Sequence, residues 1–154
     1  MHTFITGGAG FIGCNTAALH LSKGRTVTVY DNLSRPRTQH NLEWLRHEAP
    51  RGAGAELRFV QGDTRDFDGL AAAVRDAQPD LIIHLAAQVA VTTSVTHPRE
   101  DFDINALGTF NVLEAARQQD RPPAVFFAST NKVYGGMEDV AVEMRGGRYA
   151  FRDL

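Results

Sequence analysis

Eight residues near the amino terminus, Thr6-Gly7-Gly8-Ala9-Gly10-Phe11-Ile12-Gly13, offer the first chemistry in the chain. They satisfy two spacings at once, Gly8-x-Gly10-x-x-Gly13 and Gly7-x-x-Gly10-x-x-Gly13. Residues without a Cβ let a chain turn tightly from strand into helix and let an anion approach backbone N–H groups. A helix opening near Phe11 would point its positive end at that anion. Eighteen residues after Gly13, a β-rich run ends at Asp31. A glycine turn between strand and helix, followed at that distance by a carboxylate, is the fingerprint of a dinucleotide site. Asp31 would accept hydrogen bonds from the adenosine ribose and repel a 2′-phosphate, which favours NAD over NADP. Arg35 and Arg37, just downstream, are the rival feature, since they could hold that phosphate.

Other residues carry weaker signals. Asp63, in Gly62-Asp63-Thr64-Arg65-Asp66, lies where adenine would sit, or it caps the next helix. Asp66 suits a cap better than a ligand. Ser129-Thr130-Asn131 follows an apolar run and reads either as a polar turn or as a site. His84 ends an apolar strand and reads as a hydrogen-bonded core histidine rather than a base. Cys14, early in the first helix, reads as small-residue packing rather than an activated thiol. His40, Glu43 and His47 fall near one helix face; a solvated polar face explains them without metal, and no metal site is expected.

These residues need a frame. Short β-rich runs at residues 2–6, 25–30, 56–61, 80–85 and 124–129 alternate with helical stretches at 11–23, 39–48, 67–77 and 99–119. Such alternation implies βαβ units and an α/β fold, a Rossmann-type doubly wound parallel sheet. Leu81-Ile82-Ile83 is apolar on both faces, as a strand covered from both sides requires. Gly24, Pro50, Pro79 and Pro122-Pro123 punctuate the boundaries, and Pro98 suits the start of the fourth helix. Residues 1–135 therefore form the nucleotide-binding domain, whereas residues 136–154 show no clear period and read as a loop or edge segment.

Composition is that of a globular chain. Of 154 residues, 43% are hydrophobic and 22% charged, and the formal net charge is −2. No basic excess exists to attract nucleic acid or an anionic membrane, so neither is an expected partner. The single cysteine rules out a disulfide within the chain and suits a reducing cytoplasm. Residues 1–6 run straight into the glycine turn and do not read as a signal peptide, and no apolar run reaches bilayer-spanning length.

Taken in order, Thr6–Gly13, Asp31-Asn32-Leu33, Gly62-Asp63, His84-Leu85-Ala86-Ala87-Gln88, Asn105 and Ser129-Thr130-Asn131-Lys132-Val133-Tyr134-Gly135 resemble an extended short-chain dehydrogenase/reductase. The resembling subgroup is the NAD-dependent nucleotide-sugar epimerases and dehydratases. Asn41-Leu42-Glu43-Trp44-Leu45 and Gln88–Ser94 are most like its 2-epimerases of CDP-sugars. The resemblance implies that Gly7, Gly10, Phe11, Ile12, Gly13, Asp31, Asn32, Ser34, Arg35, Asp63 and Thr64 hold the cofactor. Leu85, Ala86 and Ala87 would line its crevice, with Asn105 tying active-site backbone together. Gln88, Thr92, Thr93, Ser94 and Asn131 would face the sugar. Thr130 would take the catalytic position, hydrogen-bonding the hydroxyl that is transiently oxidised. Tyr134 belongs to a turn motif.

The chain also departs from the resembling family. The tyrosine base and its lysine lie in a Tyr-x-x-x-Lys motif, but four residues beyond Tyr30, Tyr134 and Tyr149 stand Ser34, Glu138 and Asp153. The expectation is an N-terminal portion that does not turn over a sugar alone: a fragment, one chain of a pair, or a non-catalytic dinucleotide-binding module. A 4,6-dehydratase or decarboxylase on the same scaffold is the rival enzyme. Phe102, Ile104, Leu107, Phe110, Val112 and Leu113 spread around the fourth helix. They predict an exposed apolar patch that self-associates, and a homodimer in the complete form.

Overall fold

The computed structural model describes residues 1–153, and of Asn131 and Lys132 the backbone alone. Strands β1 (His2–Thr6), β2 (Thr26–Asp31), β3 (Glu56–Gln61), β4 (Leu81–His84) and β5 (Ala124–Phe127) form one parallel sheet, ordered β3-β2-β1-β4-β5. This is the expected doubly wound Rossmann arrangement. Strand order reverses beside β1, so a crevice opens at the carboxyl ends of β1 and β4.

Adjacent residues Phe4 and Ile5 are both wholly buried, which requires cover on both faces of the sheet. Helices α1 (Phe11–Ser22) and α2 (Thr38–His47) supply one layer: Ala17, Leu21, Leu42 and Leu45 pack on Ile5, Val27, Val29 and Ile83. On the other face, Leu70 and Val74 of α3 (Phe67–Ala77) and Val112 of α6 (Gly108–Arg117) pack on Phe4, Tyr30 and Ile82. Each such buried Leu, Ile, Val or Phe side chain contributes roughly 1.5–3 kcal/mol. Asp66 caps α3 by accepting from the Gly69 N–H at 3.2 Å. Gly24 ends α1 in the left-handed region, φ 71°, where a Cβ would also press on the Ala53 carbonyl.

Two expectations are corrected. The helix read over 99–119 is not one α-helix. A short α4 (Val91–Thr96), which carries Thr92, Thr93 and Ser94, precedes it. Ser94 Oγ donates to the Ala90 carbonyl and Thr96 Oγ1 to that of Thr92, both bonding back to carbonyls one turn earlier. His97, restricted by the proline after it, breaks the helix. Then α5 (Pro98–Phe102) passes through a π-helical turn, Asp103–Leu107, into α6. The wider turn lets Asn105 reach the strand-end loop while Gly108 still seats against Thr64.

The tail also differs from the irregular segment expected. Strands β6 (Val142–Arg145) and β7 (Arg148–Phe151) pair antiparallel around Gly146-Gly147, whose φ values are 59° and 79°. Two glycines between alternating runs are a hairpin signal in their own right, and that signal was there to read. Val142, Met144, Tyr149 and Phe151 fall on one side of the hairpin.

Candidate functional site

The dinucleotide groove is built from the end of β1. Gly7 has φ 67° and donates to the Tyr30 carbonyl at 2.9 Å, Gly10 donates to Gly7 at 3.0 Å, and α1 begins. A Cβ on Gly7 would stand 2.7 Å from the Ala86 nitrogen, and one on Gly13 would collide with the Gly7 carbonyl. Those two glycines are therefore demanded by the protein's own backbone. Gly10 is different: a Cβ there would meet only the Gly7 carbonyl, at 3.2 Å, and otherwise open groove. That cleared space beside a helix N-terminus is what a pyrophosphate needs. No side chain caps α1 and its first turn holds no acid, so its positive end is unfilled by protein. Phe11 and Ile12 in this turn are exposed.

Asp31 is buried, and both carboxylate oxygens are engaged. Oδ2 accepts from the Ala9 N–H at 3.0 Å and Oδ1 from that of Leu33 at 2.8 Å. It thus clamps the glycine turn to the end of β2 while lining the groove, a role the sequence reading missed. Each oxygen keeps a second lone pair for a ribose hydroxyl. Asn32, Ser34, Arg35, Asp63 and Thr64 line the same groove, as do Leu85, Ala86, Ala87 and Gln88 on its other wall.

Asp63 does not cap α3. Its carboxylate binds Arg65 through two hydrogen bonds of 2.9 and 2.7 Å and accepts from Asn32 Nδ2 at 2.8 Å. The Arg65 guanidinium, first among these, holds its pKa down at about 2. Thr64 is almost fully buried and gives its carbonyl to Asn111 Nδ2 at 2.8 Å, which locks α6 to the groove floor. Tyr30 and Gly62, unpredicted, also line the groove. The Tyr30 hydroxyl donates to the Asp63 carbonyl, its pKa is pushed up to about 12 by burial, and no Cβ would fit at Gly62 against its ring.

At the end of β4 a buried polar chain takes over. Thr109 Oγ1 donates to the Asn105 carbonyl at 2.6 Å, so it accepts from His84 Nε2–H at 3.0 Å. His84 Nδ1 is then an acceptor, bound by the Thr6 hydroxyl at 2.6 Å. Burial lowers the His84 pKa to about 4, so the ring is neutral and structural. Asn105 holds Gln88 by both backbone groups, its Oδ1 accepting from N–H and its Nδ2 donating to C=O, each at 2.9 Å. The Gln88 side chain is buried and hydrogen-bonded, and the residue lines both the groove and the hollow beside it. Its Nε2 donates to the Ala90 carbonyl at 2.7 Å, and its Oε1 accepts from Ala90 N–H and from Arg35 at 2.9 Å.

Beside this wall, His84, Ala87, Asn105, Thr109, Phe127 and Thr130 border a second hollow. The structure thus brings Thr130 to this second hollow, three residues past β5. Thr92, Thr93 and Ser94 border neither hollow. The Asn131 side chain lies outside the described residues. Cys14 is buried, with its thiol pKa raised by desolvation, which removes it as a nucleophile. Among the described residues no group of three or more His, Cys, Asp or Glu could hold a metal, and no helix is long and apolar enough to cross a membrane.

The family described as GDP-mannose 4,6 dehydratase matches residues 4–145. CDP-paratose 2-epimerase of Salmonella typhi is 41% identical over 153 residues, 99% of this chain and 44% of that protein. The dTDP-glucose 4,6-dehydratase of Mycolicibacterium smegmatis is 36% identical over 90% of this chain and 39% of its own length. Among solved structures, UDP-glucose 4-epimerase from Bifidobacterium longum in complex with NAD+ and UDP superposes with a TM-score of 0.76 at 31% identity, covering 88% of this chain and 38% of that one. The chain therefore spans under half the length of these relatives. With this sheet order, this groove and this span of matched residues, the chain belongs to the GDP-mannose 4,6 dehydratase family, among the NAD-dependent nucleotide-sugar epimerases and dehydratases of the extended short-chain dehydrogenase/reductase type.

Proposed function

We propose that residues 1–135 are the NAD-binding portion of a nucleotide-sugar epimerase that works by transient oxidation, with a CDP-sugar as the substrate of the complete form. The observation that carries this is the groove over Gly10, where backbone N–H groups, the helix positive end and Asp31 converge. Identity of 41% to a CDP-paratose 2-epimerase across nearly all of the chain supports the CDP-sugar. NAD rather than NADP follows from Asp31, whose charge opposes a 2′-phosphate, and from Arg35, whose guanidinium is turned onto Gln88 instead.

When bound, the nicotinamide supplies a reversible hydride acceptor. Gly7, Gly10, Gly13, Phe11 and Ile12 present backbone to the pyrophosphate. Asp31, Asn32 and Ser34 take the adenosine ribose, and Asp63 and Thr64 flank the base. Leu85–Ala87 form the apolar floor, with Gln88 and Asn105 fixing its backbone. Thr130 hydrogen-bonds the reacting sugar hydroxyl. A proton acceptor of the Tyr-x-x-x-Lys type is not among these 154 residues, so they bind the cofactor without completing the reaction. In the complete form the exposed Phe102, Phe110 and Leu113 face pairs two copies.

Titration of the chain with NADH and NADPH tests the reading: micromolar NADH binding with weaker NADPH is expected, and failure to bind either in a folded sample overturns it. The match to a dTDP-glucose 4,6-dehydratase favours a second reading, dehydration on the same scaffold. Epimer formation from a CDP-sugar by a version extended through a Tyr-x-x-x-Lys helix separates the two. Binding of NADH without turnover by any such version supports a non-catalytic module.

A further inference from the structure

We infer that Arg35 and Gln88 form a clasp across the mouth of the dinucleotide groove, and that opening it sets the rates at which the dinucleotide associates and leaves. The inference rests on the proposed cofactor reading.

Sheet order gives the clasp its meaning. Arg35 follows β2 and Gln88 follows β4, and β1 with its glycine turn lies between them. The 2.9 Å bond from Arg35 to Gln88 Oε1 therefore straddles the end of β1, with Gly7 and Gly10 lining the same groove. The two ends of the clasp are unlike. Gln88 is a rigid post: its backbone is held twice by Asn105 and its amide twice by Ala90, which aims Oε1 at the far wall. Arg35 is an arm on a firm base. Leu33 and Arg37 both have positive φ, 58° and 71°, and Pro36 restricts the Arg35 backbone. The Arg35 carbonyl also accepts from the Thr38 N–H and hydroxyl. Only the exposed side chain is left to move, from Gln88 outward into solvent.

Such a device suits chemistry in which the cofactor returns to its starting state every cycle. A protein that never needs to exchange its cofactor loses nothing by slowing release. Because the bond joins protein to protein, removing it changes how often the groove is open and leaves the contacts to the bound molecule in place. A direct Arg35–pyrophosphate contact would act differently: its loss would weaken binding and leave association unaided.

Stopped-flow fluorescence with NADH on the 154-residue chain separates these cases. Arg35→Met keeps the aliphatic length and removes the donors. It is expected to raise both association and dissociation rates about tenfold, the scale of one charge-assisted hydrogen bond, with Kd held within about twofold. Gln88→Met should likewise raise the dissociation rate, and adding Arg35→Met in that background should raise it no further. Arg35→Lys, on the exposed partner, provides the check should Gln88→Met not fold, with rates expected between wild type and Arg35→Met. A dissociation rate unchanged in Arg35→Met overturns the clasp. So does a tenfold faster dissociation matched by a tenfold weaker Kd. Absence of NADH binding to the wild-type chain would instead overturn the cofactor reading.

Discussion

The two halves of the sheet are finished to different degrees. On the β2–β1 side, Val27, Val29, Phe4 and Ile5 are wholly buried between helices, and the groove above them is walled, floored and hydrogen-bonded. At β5 the paired positions are open: Phe126 and Phe127 are 58% and 52% exposed, and Phe110 and Leu113 of α6 are exposed as well. Yet β5 keeps full parallel register with β4. Backbone pairing and side-chain cover are thus separable. The groove over Gly10 draws on the covered half, whereas Thr130 and the second hollow border the open one. An uncovered apolar face of this kind calls for another surface to bury it.

Substitutions can break that contrast. The largest effect should come from Gly13→Val, since a side chain there has only backbone to displace. NADH binding should vanish, and urea unfolding should show a loss of about 3 kcal/mol or more. His84 comes next and tests the seam between the halves. Its folded pKa of about 4 lies below the ordinary 6.5, so the unfolded chain takes up a proton more readily. Stability held above pH 6.5 should fall as pH drops toward 4, by about 3 kcal/mol over the window. The measurement is urea unfolding at pH 7 and pH 4.5, and His84→Asn should flatten the difference between them.

Asp31→Ala leaves the buried Ala9 N–H without its acceptor and should destabilise the fold by about 2 kcal/mol. Asp31→Asn, milder, should narrow the preference for NADH over NADPH in fluorescence titration; an unchanged preference would remove Asp31 from cofactor choice. The smallest effect on the groove should come from the open half. Phe110→Glu with Leu113→Glu should reduce self-association in sedimentation while shifting NADH affinity by less than about twofold, because additive sites lie apart. A larger shift would mean that the halves are coupled.

Much of the covered half was legible. The glycine spacing, the β-rich runs and Asp31 placed β1, α1 and β2 within a residue or two, since local backbone demands fall on neighbouring positions. The site set was less so. Asp31 as a clamp, Tyr30 beneath Gly62, and the bond from Arg35 to Gln88 each depend on partners more than twenty residues away, and no periodicity reports such pairs. The hairpin was legible in Gly146-Gly147 flanked by alternating apolar residues. The π turn was not, because it answers to two tertiary contacts at once, Asn105 with Gln88 and Gly108 with Thr64.

Sequence alone determined the alternating βαβ frame, the Gly-rich turn and the absence of Tyr-x-x-x-Lys from these residues, because each is a matter of residue type and spacing along the chain. Tertiary structure decided which carboxylate clamps and which caps, that His84 stays neutral between two threonines, and that Arg35 reaches Gln88 across β1. Those outcomes follow from desolvation and from hydrogen-bond geometry between strands brought together by the sheet order.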